Sequence, residues 1–304
     1  MHGLFSAGIA GMKRVFRNFI GIVTVVDVLC VLSVGVVILA LISIPRALPN
    51  ERIKLKFTAV TNKFGNFIVW FLKKNLDFIH RPKWEVEFPA KISVEKWYVG
   101  MSNHLSWADI FLLLFTTNYK FPLLKFFMKK ELRWIPIIYF VHKTIDMPFL
   151  NRYKADAIRR NPELQRRETE NTRLAAEKFM KYPTVAFCFA EGTRFTEEKR
   201  VKQKSPYQDL LKPKVGALMT SLSCMPNVNE LIDFTIIYET KKRSAWAFAC
   251  GEMKGAKVIA RSFIIPDELR KTTGQNVSED RAKFKQFIEH IWQEKQELIN
   301  QNIF

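Results

Sequence analysis

A histidine and an aspartate five positions apart, His104 and Asp109, are the residues of this chain best suited to chemistry. They lie in a polar segment, residues 102–109, between two apolar runs. Histidine can accept and return a proton near neutral pH, and as a general base it needs an acidic group that fixes its tautomer and stabilises its charge. Positions five apart on one helix point in directions roughly 140° apart. The two side chains can therefore meet only if His104 lies in a turn and Asp109 in the first turn of the following helix.

The start of that helix offers a second interpretation of Asp109. The pattern of apolar residues predicts a strand over residues 97–101 and a helix over residues 107–115. Ser106, with an acidic residue three positions later, also fits a capping box, in which the acid accepts a backbone N–H at the helix start. Asp109 is thus either the partner of a general base or a helix cap.

A second polar segment follows another predicted strand. Residues 183–190 alternate apolar and small side chains, which is typical of a buried strand, and Glu191, Gly192, Thr193 and Arg194 come directly after it. Two polar segments that each begin where a strand ends indicate one shared site.

These segments resemble the motifs of a known family. Residues 103–109, Asn-His-Leu-Ser-Trp-Ala-Asp, are similar to the His-x4-Asp motif of the glycerolipid acyltransferases, which include 1-acylglycerol-3-phosphate and lysocardiolipin acyltransferases. Residues 189–194 resemble the Glu-Gly-Thr-Arg motif of that family, and residues 149–152, Phe-Leu-Asn-Arg, resemble its Phe-Ile-x-Arg motif. Residues 232–238 stand where a fourth motif is expected but lack its proline, as in the lysocardiolipin-type branch.

The resemblance implies transfer of a fatty acyl group from a thioester, either acyl-CoA or acyl carrier protein, to a glycerol hydroxyl. His104 would remove the hydroxyl proton and return a proton to the leaving thiol, and Asp109 would orient the imidazole. The expected acceptor is 1-acylglycerol-3-phosphate, with phosphatidic acid as the product, and the alternative is another lysophospholipid. The reaction needs no metal and no cofactor beyond the acyl donor. A non-catalytic membrane-binding protein of the same fold is the rival interpretation.

The resemblance also implies a set of substrate-binding residues: Arg152, Glu191, Gly192, Thr193 and Arg194. The two arginines suit the phosphate of the acceptor, because a guanidinium forms paired hydrogen bonds with phosphate. Arg194 could instead be a structural ion-pair partner. Glu191 could bind an acceptor hydroxyl or position Arg194, and the amide of Gly192 could hold the oxyanion or belong to a tight turn. Three neighbouring residues could replace Arg152 in its role: Lys154, Arg159 and Arg160.

Positive charge dominates the composition. The chain has 48 Lys and Arg against 29 Asp and Glu, a net charge of +19, which implies an anionic partner. No zinc-finger spacing or RNA-binding signature accompanies this charge, so a phospholipid membrane and phosphorylated substrates are expected rather than nucleic acid. A basic loop after Arg194 would suit lipid headgroups, the phosphates of coenzyme A or acyl carrier protein, unless it is merely solvated. Its residues are Lys199, Arg200, Lys202, Lys204 and Lys212.

The N-terminal region, residues 1–80, is expected to associate with a membrane. Residues 19–44 are apolar over a length that can cross a bilayer, with basic residues on both sides. A single span and a re-entrant or interfacial element are both open, and a buried core helix is the third alternative. Residues 51–80 place Ile53, Phe57, Val60, Phe64, Phe67 and Phe71 on one helical face. This helix either lies on an anionic membrane or packs on the catalytic domain.

Residues 81–304 are predicted to form an α/β catalytic domain with a mixed sheet flanked by helices. Further strands are predicted over residues 84–88, 144–150, 232–238, 245–250 and 258–264, and helices over residues 162–181 and 279–300. The four cysteines, Cys30, Cys188, Cys224 and Cys250, are interpreted as reduced core thiols. The expected location is the cell inner membrane, with the catalytic domain on the cytoplasmic side.

Overall fold

The computed structural model describes residues 2–129, 134–147, 149–150, 179–225, 227–270 and 277–302, with a few separate residues between 160 and 174. The helices in these ranges are α1 (His2–Ser43), α2 (Glu51–His80), α3 (Ala108–Thr117), α4 (Pro136–Thr144), α5 (Glu197–Lys202), α6 (Gly216–Cys224), α7 (Ala245–Ala249), α8 (Asp267–Arg270) and α9 (Val277–Gln301). The strands are β1 (Lys83–Glu87), β2 (Tyr98–Ser102), β3 (Leu124–Phe126), β4 (Met128–Lys129), β5 (Phe149–Leu150), β6 (Val185–Phe189), β7 (Glu230–Tyr238) and β8 (Gly255–Ile264).

A six-stranded mixed sheet with the order β1-β8-β7-β2-β6-β3 forms the centre of the fold. β7, β2, β6 and β3 run parallel, whereas β8 is antiparallel to β7 and parallel to β1. Neighbouring parallel strands end at the same edge of a sheet. β7, β2 and β6 therefore bring the segments after Tyr238, Ser102 and Phe189 together. The predicted α/β fold with a mixed sheet flanked by helices is confirmed.

Side chains of the sheet alternate between two cores, one on each face. On β7, Ile232 and Phe234 enter the core that also contains residues of α2 and α3, whereas Leu231 and Ile237 enter the core with residues of α6 and α9. Burial of a side chain of this size contributes about 1.5–3 kcal/mol. Because β7 is covered on both faces, all of its residues after Glu230 are buried, and most of them are apolar apart from Asp233 and Thr235.

The N-terminal helices α1 and α2 form an antiparallel hairpin. Thr24 Oγ1 on α1 lies 2.8 Å from Nε2 of His80 on α2, and Asn75 of α2 donates to Asp27 of α1 at 2.7 Å. The second bond provides a partner for the acidic residue within the apolar run. The boundaries of α2 agree with the predicted helix, and Asn50 caps its start by accepting two backbone N–H groups.

The two faces of α2 have different surroundings. The buried residues of α2 include Gly65, Ile68 and Leu72. Half of the predicted apolar face is exposed, namely Val60, Phe67 and Phe71, whereas Phe64 is partly buried against the core. Packing on the rest of the protein and an exposed aromatic face therefore coexist on one helix.

The strand predicted over residues 245–250 is wrong, because residues 245–249 form the short helix α7. The hydroxyl of Ser244 accepts the N–H of Ala247, and this cap stabilises a helical turn in a sequence whose alternation resembles a strand. The predicted strand 144–150 is largely wrong as well, since Thr144 ends α4 and β5 contains only Phe149 and Leu150.

Three of the cysteines can be compared with the predicted core thiols. Cys188 and Cys250 are buried, as expected, but Cys30 is exposed on α1, so its assignment to the core is wrong. The side chain of Cys224 and most of the predicted helix 162–181 lie outside the described residues.

Candidate active site

His104 and Asp109 meet at the edge of the sheet where β2 ends. Nδ1 of His104 lies 2.8 Å from Oδ2 of Asp109. β2 ends at Ser102 and α3 begins at Ala108, so His104 occupies the connecting turn and Asp109 the first turn of α3. This is the arrangement that the five-residue spacing required.

Asp109 is completely buried and accepts hydrogen bonds from four groups. In addition to His104, its Oδ2 accepts the backbone N–H groups of Leu105 at 2.6 Å and Ser106 at 2.9 Å, and its Oδ1 accepts the hydroxyl of Tyr238 at 2.8 Å. The bond from Ser106 is one half of a capping box. Asp109 therefore contacts the histidine and caps the helix at the same time.

The imidazole of His104 is held in a fixed plane. Its ring stacks on Phe189, with 3.9 Å between ring centroids and an angle of 12° between the planes. An acceptor at Nδ1 selects the tautomer that carries its proton there, which leaves the lone pair on Nε2. Nε2 has no hydrogen-bond partner among the described residues, and the side chain is 15% exposed. The free nitrogen can therefore receive a proton from a molecule at this edge.

Tyr238, the last residue of β7, is a site residue that the sequence interpretation missed. Burial and the neighbouring Asp109 raise the pKa of the Tyr238 hydroxyl well above its usual value, so it remains a donor to Asp109. The guanidinium of Arg243 lies 6.0 Å from the Tyr238 ring, and the Arg243 carbonyl accepts the hydroxyl of Ser106 at 2.6 Å. Tyr238 could have been found from the predicted strand 232–238, because it ends that strand.

Glu191 joins two loops from a fully buried position. Its Oε1 accepts the N–H of His104 at 3.1 Å, and its Oε2 accepts the N–H of Leu211 at 3.3 Å. Burial raises the pKa of Glu191 to about 8, against the opposing effect of these two N–H donors. Both carboxyl oxygens are thus engaged with backbone, and among the described residues Glu191 makes no bond to Arg194.

Gly192 and Thr193 form the turn after Glu191. Gly192 has φ +68, in the left-handed region that favours glycine, and its N–H donates to the carbonyl of Phe189 at 3.0 Å. A tight turn accounts for this amide. The hydroxyl of Thr193 accepts the ammonium of Lys199 at 2.9 Å. This lysine of the basic loop therefore has a structural partner.

Arg194 is exposed, and its guanidinium stacks over Trp107 at 5.4 Å from the ring centroid. Among the described residues it has no carboxylate partner, so the structural ion pair considered for it is not formed there. The stack leaves the guanidinium hydrogens available to a bound anion. Arg152 lies outside the described residues.

Asn103 positions the turn that carries His104. Its buried side chain exchanges two hydrogen bonds with the backbone of Ile236 on β7, each 2.9 Å long. β2 ends at Ser102, and beyond that point the side chain of Asn103, rather than strand backbone, bonds to β7. Within the described part of the chain, no group of three or more His, Cys, Asp or Glu residues is arranged to hold a metal.

The fold and the site define a class of protein. The sequence profile of the acyltransferase family matches residues 83–238, which is more than half of the chain, and the chain belongs to this family. The glycerolipid acyltransferase family expected from the three motifs is thereby confirmed. No curated protein sequence matches the chain.

A solved structure has the same fold. The crystal structure of the 1-acyl-sn-glycerophosphate (LPA) acyltransferase PlsC from Thermotoga maritima matches with a TM-score of 0.52 and 18% sequence identity. The match covers 93% of this chain and 97% of that chain. It therefore includes both the N-terminal apolar helix and the mixed sheet.

Proposed function

We propose that this acyltransferase moves a fatty acyl group from an acyl thioester to the free hydroxyl of 1-acylglycerol-3-phosphate, giving phosphatidic acid. The observation that carries the proposal is the imidazole of His104, bonded to buried Asp109 through Nδ1 and free at Nε2 among the described residues. A base held in this way can deprotonate a hydroxyl without a covalent enzyme intermediate.

In the proposed reaction, Nε2 of His104 accepts the proton of the acceptor hydroxyl while its oxygen attacks the thioester carbonyl. Asp109 stabilises the positive charge that develops on the ring, and Phe189 keeps the ring plane fixed. Collapse of the tetrahedral intermediate expels the thiolate, which takes the proton back from Nε2. His104 is then neutral again, as at the start of the cycle, and the ester product is complete.

Arg194 is proposed to bind the phosphate of the acceptor. It lies after the Glu191 turn, and its guanidinium stacks on Trp107, three residues beyond His104 in the same loop. Arg152 is proposed as a second phosphate ligand from its motif alone. Another lysophospholipid, of the lysocardiolipin type, is the second candidate acceptor, because β7 reaches Tyr238 without the proline of the fourth motif.

Membrane association of the N-terminal hairpin is proposed to bring the enzyme to its lipid acceptor. One helical stretch, Gly11–Ala47, is long and apolar enough to cross a membrane by length and composition. Two ion pairs tie the N-terminal region to the rest of the protein: Arg17 on α1 pairs with Glu252, and Arg46, just after the end of α1, pairs with Asp146. Attachment at these two positions, before and after the apolar stretch that begins at Phe19, favours an interfacial element over a span that leaves the protein. The inner membrane, with the catalytic side facing the cytoplasm, remains the proposed location.

The acyl donor is proposed to be acyl-CoA or acyl-acyl carrier protein. Three lysines of the basic loop, Lys202, Lys204 and Lys212, are exposed and could attract the phosphates of the first or the acidic surface of the second. Lys199 and Arg200 contribute less, because Lys199 binds Thr193 and Arg200 pairs with Glu197.

The test is product analysis by mass spectrometry with purified full-length protein, both thioester donors and a panel of lysophospholipids. The expected result is phosphatidic acid from 1-acylglycerol-3-phosphate, and no product with His104→Ala of unchanged melting temperature. Transfer only to another lysophospholipid would replace the proposed acceptor. Full activity of a folded His104→Ala protein would contradict the mechanism. No transfer by the wild type to any acceptor would contradict the proposed acyltransferase activity.

A further inference from the structure

A cavity of about 490 Å³ lies between the first part of α1 and the segment around α7. One of its lining residues, Arg243, also lies 6.0 Å from the ring of Tyr238. Its volume is within the range of small-molecule sites. None of the residues assigned above to catalysis or to acceptor binding lines it. The lining residues are Arg14, Arg17, Asn18, Lys242, Arg243, Ser244, Trp246, Ala247, Cys250 and Glu252.

The lining is strongly positive. Four of the residues are cations, and Glu252 is the one carboxylate among them. Glu252 pairs with Arg17 at 3.0 Å and more loosely with Lys242 at 3.9 Å. Arg14 has no acidic partner among the described residues, and Arg243 uses only its Nε, which donates to the carbonyl of Thr240. The cavity therefore has excess positive charge that an anion could neutralise.

A bound anion would stabilise the charge of Arg243. It is half-buried, and burial lowers the pKa of its guanidinium because the charge loses solvation. Its terminal nitrogens have no hydrogen-bond acceptor among the described residues. A phosphate would supply charge and acceptors together, because its oxygens match the geometry of a guanidinium.

The two walls of the cavity are held together closely. Gly21 of α1 lies against α7, where an added Cβ would come within 2.7 Å of Cys250 Sγ and 3.1 Å of the Trp246 ring. This close approach and the Arg17–Glu252 pair hold the first half of α1 against residues 246–252. Arg243, just before α7, contacts the turn that carries His104, because its carbonyl accepts the hydroxyl of Ser106.

The position of the cavity indicates where the anion comes from. Arg14 and Arg17 directly precede the apolar stretch that begins at Phe19, and side chains of α1 beyond this point are largely apolar and exposed. Basic residues at the end of an apolar membrane segment lie at the level of the lipid headgroups. The cavity would then open among phosphate groups.

We infer that this cavity binds the phosphate of a glycerophospholipid headgroup, next to and separate from the acceptor site at Arg194. The inference extends the proposed function, since it needs a lipid surface at α1, but binding can be measured without turnover. Coenzyme A carries the same phosphate chemistry, and the experiment distinguishes it from a lipid.

The experiment measures binding of a short-chain phosphatidic acid and, separately, of coenzyme A by titration calorimetry in neutral detergent micelles. The full-length protein carries Arg194→Ala throughout, so that the phosphate site proposed for the acceptor does not contribute. The variants are Arg14→Gln and Lys242→Gln. Each has a matched control that removes the same charge from the adjacent position, namely Lys13→Gln and Lys241→Gln, neither of which lines the cavity. Each cavity variant should weaken binding of phosphatidic acid about tenfold, which is the effect of losing one charge-assisted hydrogen bond. The controls should change it less than about twofold.

Two results would overturn the inference. Equal weakening by cavity variants and controls would mean that phosphatidic acid responds to the overall charge of the protein. Weakened binding of coenzyme A with unchanged binding of phosphatidic acid would assign the cavity to the acyl donor. Loss of turnover alone would not affect these results, so failure of the proposed reaction and failure of the lipid site remain distinguishable. Unchanged melting temperatures of the variants confirm that they are folded.

Discussion

Replacing Asp109 with asparagine separates its charge from its hydrogen bonds. Oδ2 of Asp109 accepts His104, Leu105 and Ser106, and Oδ1 accepts Tyr238. The amide oxygen of asparagine can take the place of Oδ2 and keep three of the four donors. Its NH2 group then faces the Tyr238 hydroxyl, which can rotate and accept. Stability should fall by about 1 kcal/mol, since bonds to a charge become bonds to a neutral group.

Activity should respond differently, because only the charge stabilises a protonated His104 ring. With the helix cap retained, Asp109→Asn should lower kcat by about 10²–10⁴-fold, the range of general acid–base catalysis. Asp109→Ala should also lose stability, because the N–H groups of Leu105 and Ser106 would be buried without an acceptor, at about 1–3 kcal/mol each.

Initial rates at saturating substrates and thermal unfolding in detergent would be measured for both variants and for Tyr238→Phe. The reasoning is refuted if Asp109→Asn keeps a rate within about threefold of the wild type while its melting temperature falls as far as that of Asp109→Ala. In that case Asp109 would be a helix cap alone.

Three further predictions follow from the site and from the hairpin. Arg194→Lys should raise the KM for the phosphorylated acceptor about tenfold with little change for the donor, because lysine keeps the charge but not the paired donors; an equal rise for both substrates would contradict acceptor binding. Glu191→Gln should alter the pH dependence of unfolding, because burial raises the pKa of Glu191 to about 8. The contribution of Glu191 to stability is fully present below about pH 4.5 and is lost as the pH rises through 8, because the unfolded chain releases this proton at lower pH than the folded protein does. The melting temperature of the wild type should therefore fall relative to that of Glu191→Gln between these pH values. A difference in melting temperature that stays constant would contradict the raised pKa of Glu191. Serine at exposed Phe67 and Phe71 should weaken sedimentation with liposomes at high salt without lowering the melting temperature, whereas Val201→Ser, an exposed control on α5, should not.

The parts of the site that follow from the sequence are those fixed by local geometry. His104 and Asp109 share one strand–turn–helix segment, so the spacing alone restricted how they could meet. The helix α2 was predicted with its correct ends from a helical period of apolar residues between Ile53 and Phe71, and the structure adds that Asn50 caps its start. The strand ends that approach His104 were also predicted, but which strands are neighbours was not. Tyr238 was missed for this reason, since its contact with Asp109 depends on β7 lying beside β2.

Short segments and buried charges were the least predictable features. Five residues of α7 cannot show a helical period, and the cap from Ser244 decides their conformation. Lys295 interrupts the apolar face of α9 in the sequence, yet in the fold it is fully buried and lies 2.8 Å from Oδ1 of Asp233 on β7. No pattern within α9 indicates that pair, because the partner comes from a distant strand. Its cost of desolvation is offset only by contacts that the tertiary structure creates.

The acidic residue of the Glu-Gly-Thr-Arg segment is better explained as a support for the catalytic turn than as a substrate ligand. The indole of Trp292 on α9 donates to the carbonyl of Leu211 at 2.9 Å, and the N–H of Leu211 donates to Glu191. Glu191 in turn accepts the N–H of His104. A continuous series of hydrogen bonds thus links the C-terminal helix to the backbone of the proposed base. Because Glu191 is completely buried, its carboxyl group has no surface open to an acceptor hydroxyl in this conformation. We therefore expect other groups to recognise the proposed acceptor, and Arg194 is the candidate because it is exposed and lacks a carboxylate partner within the described chain.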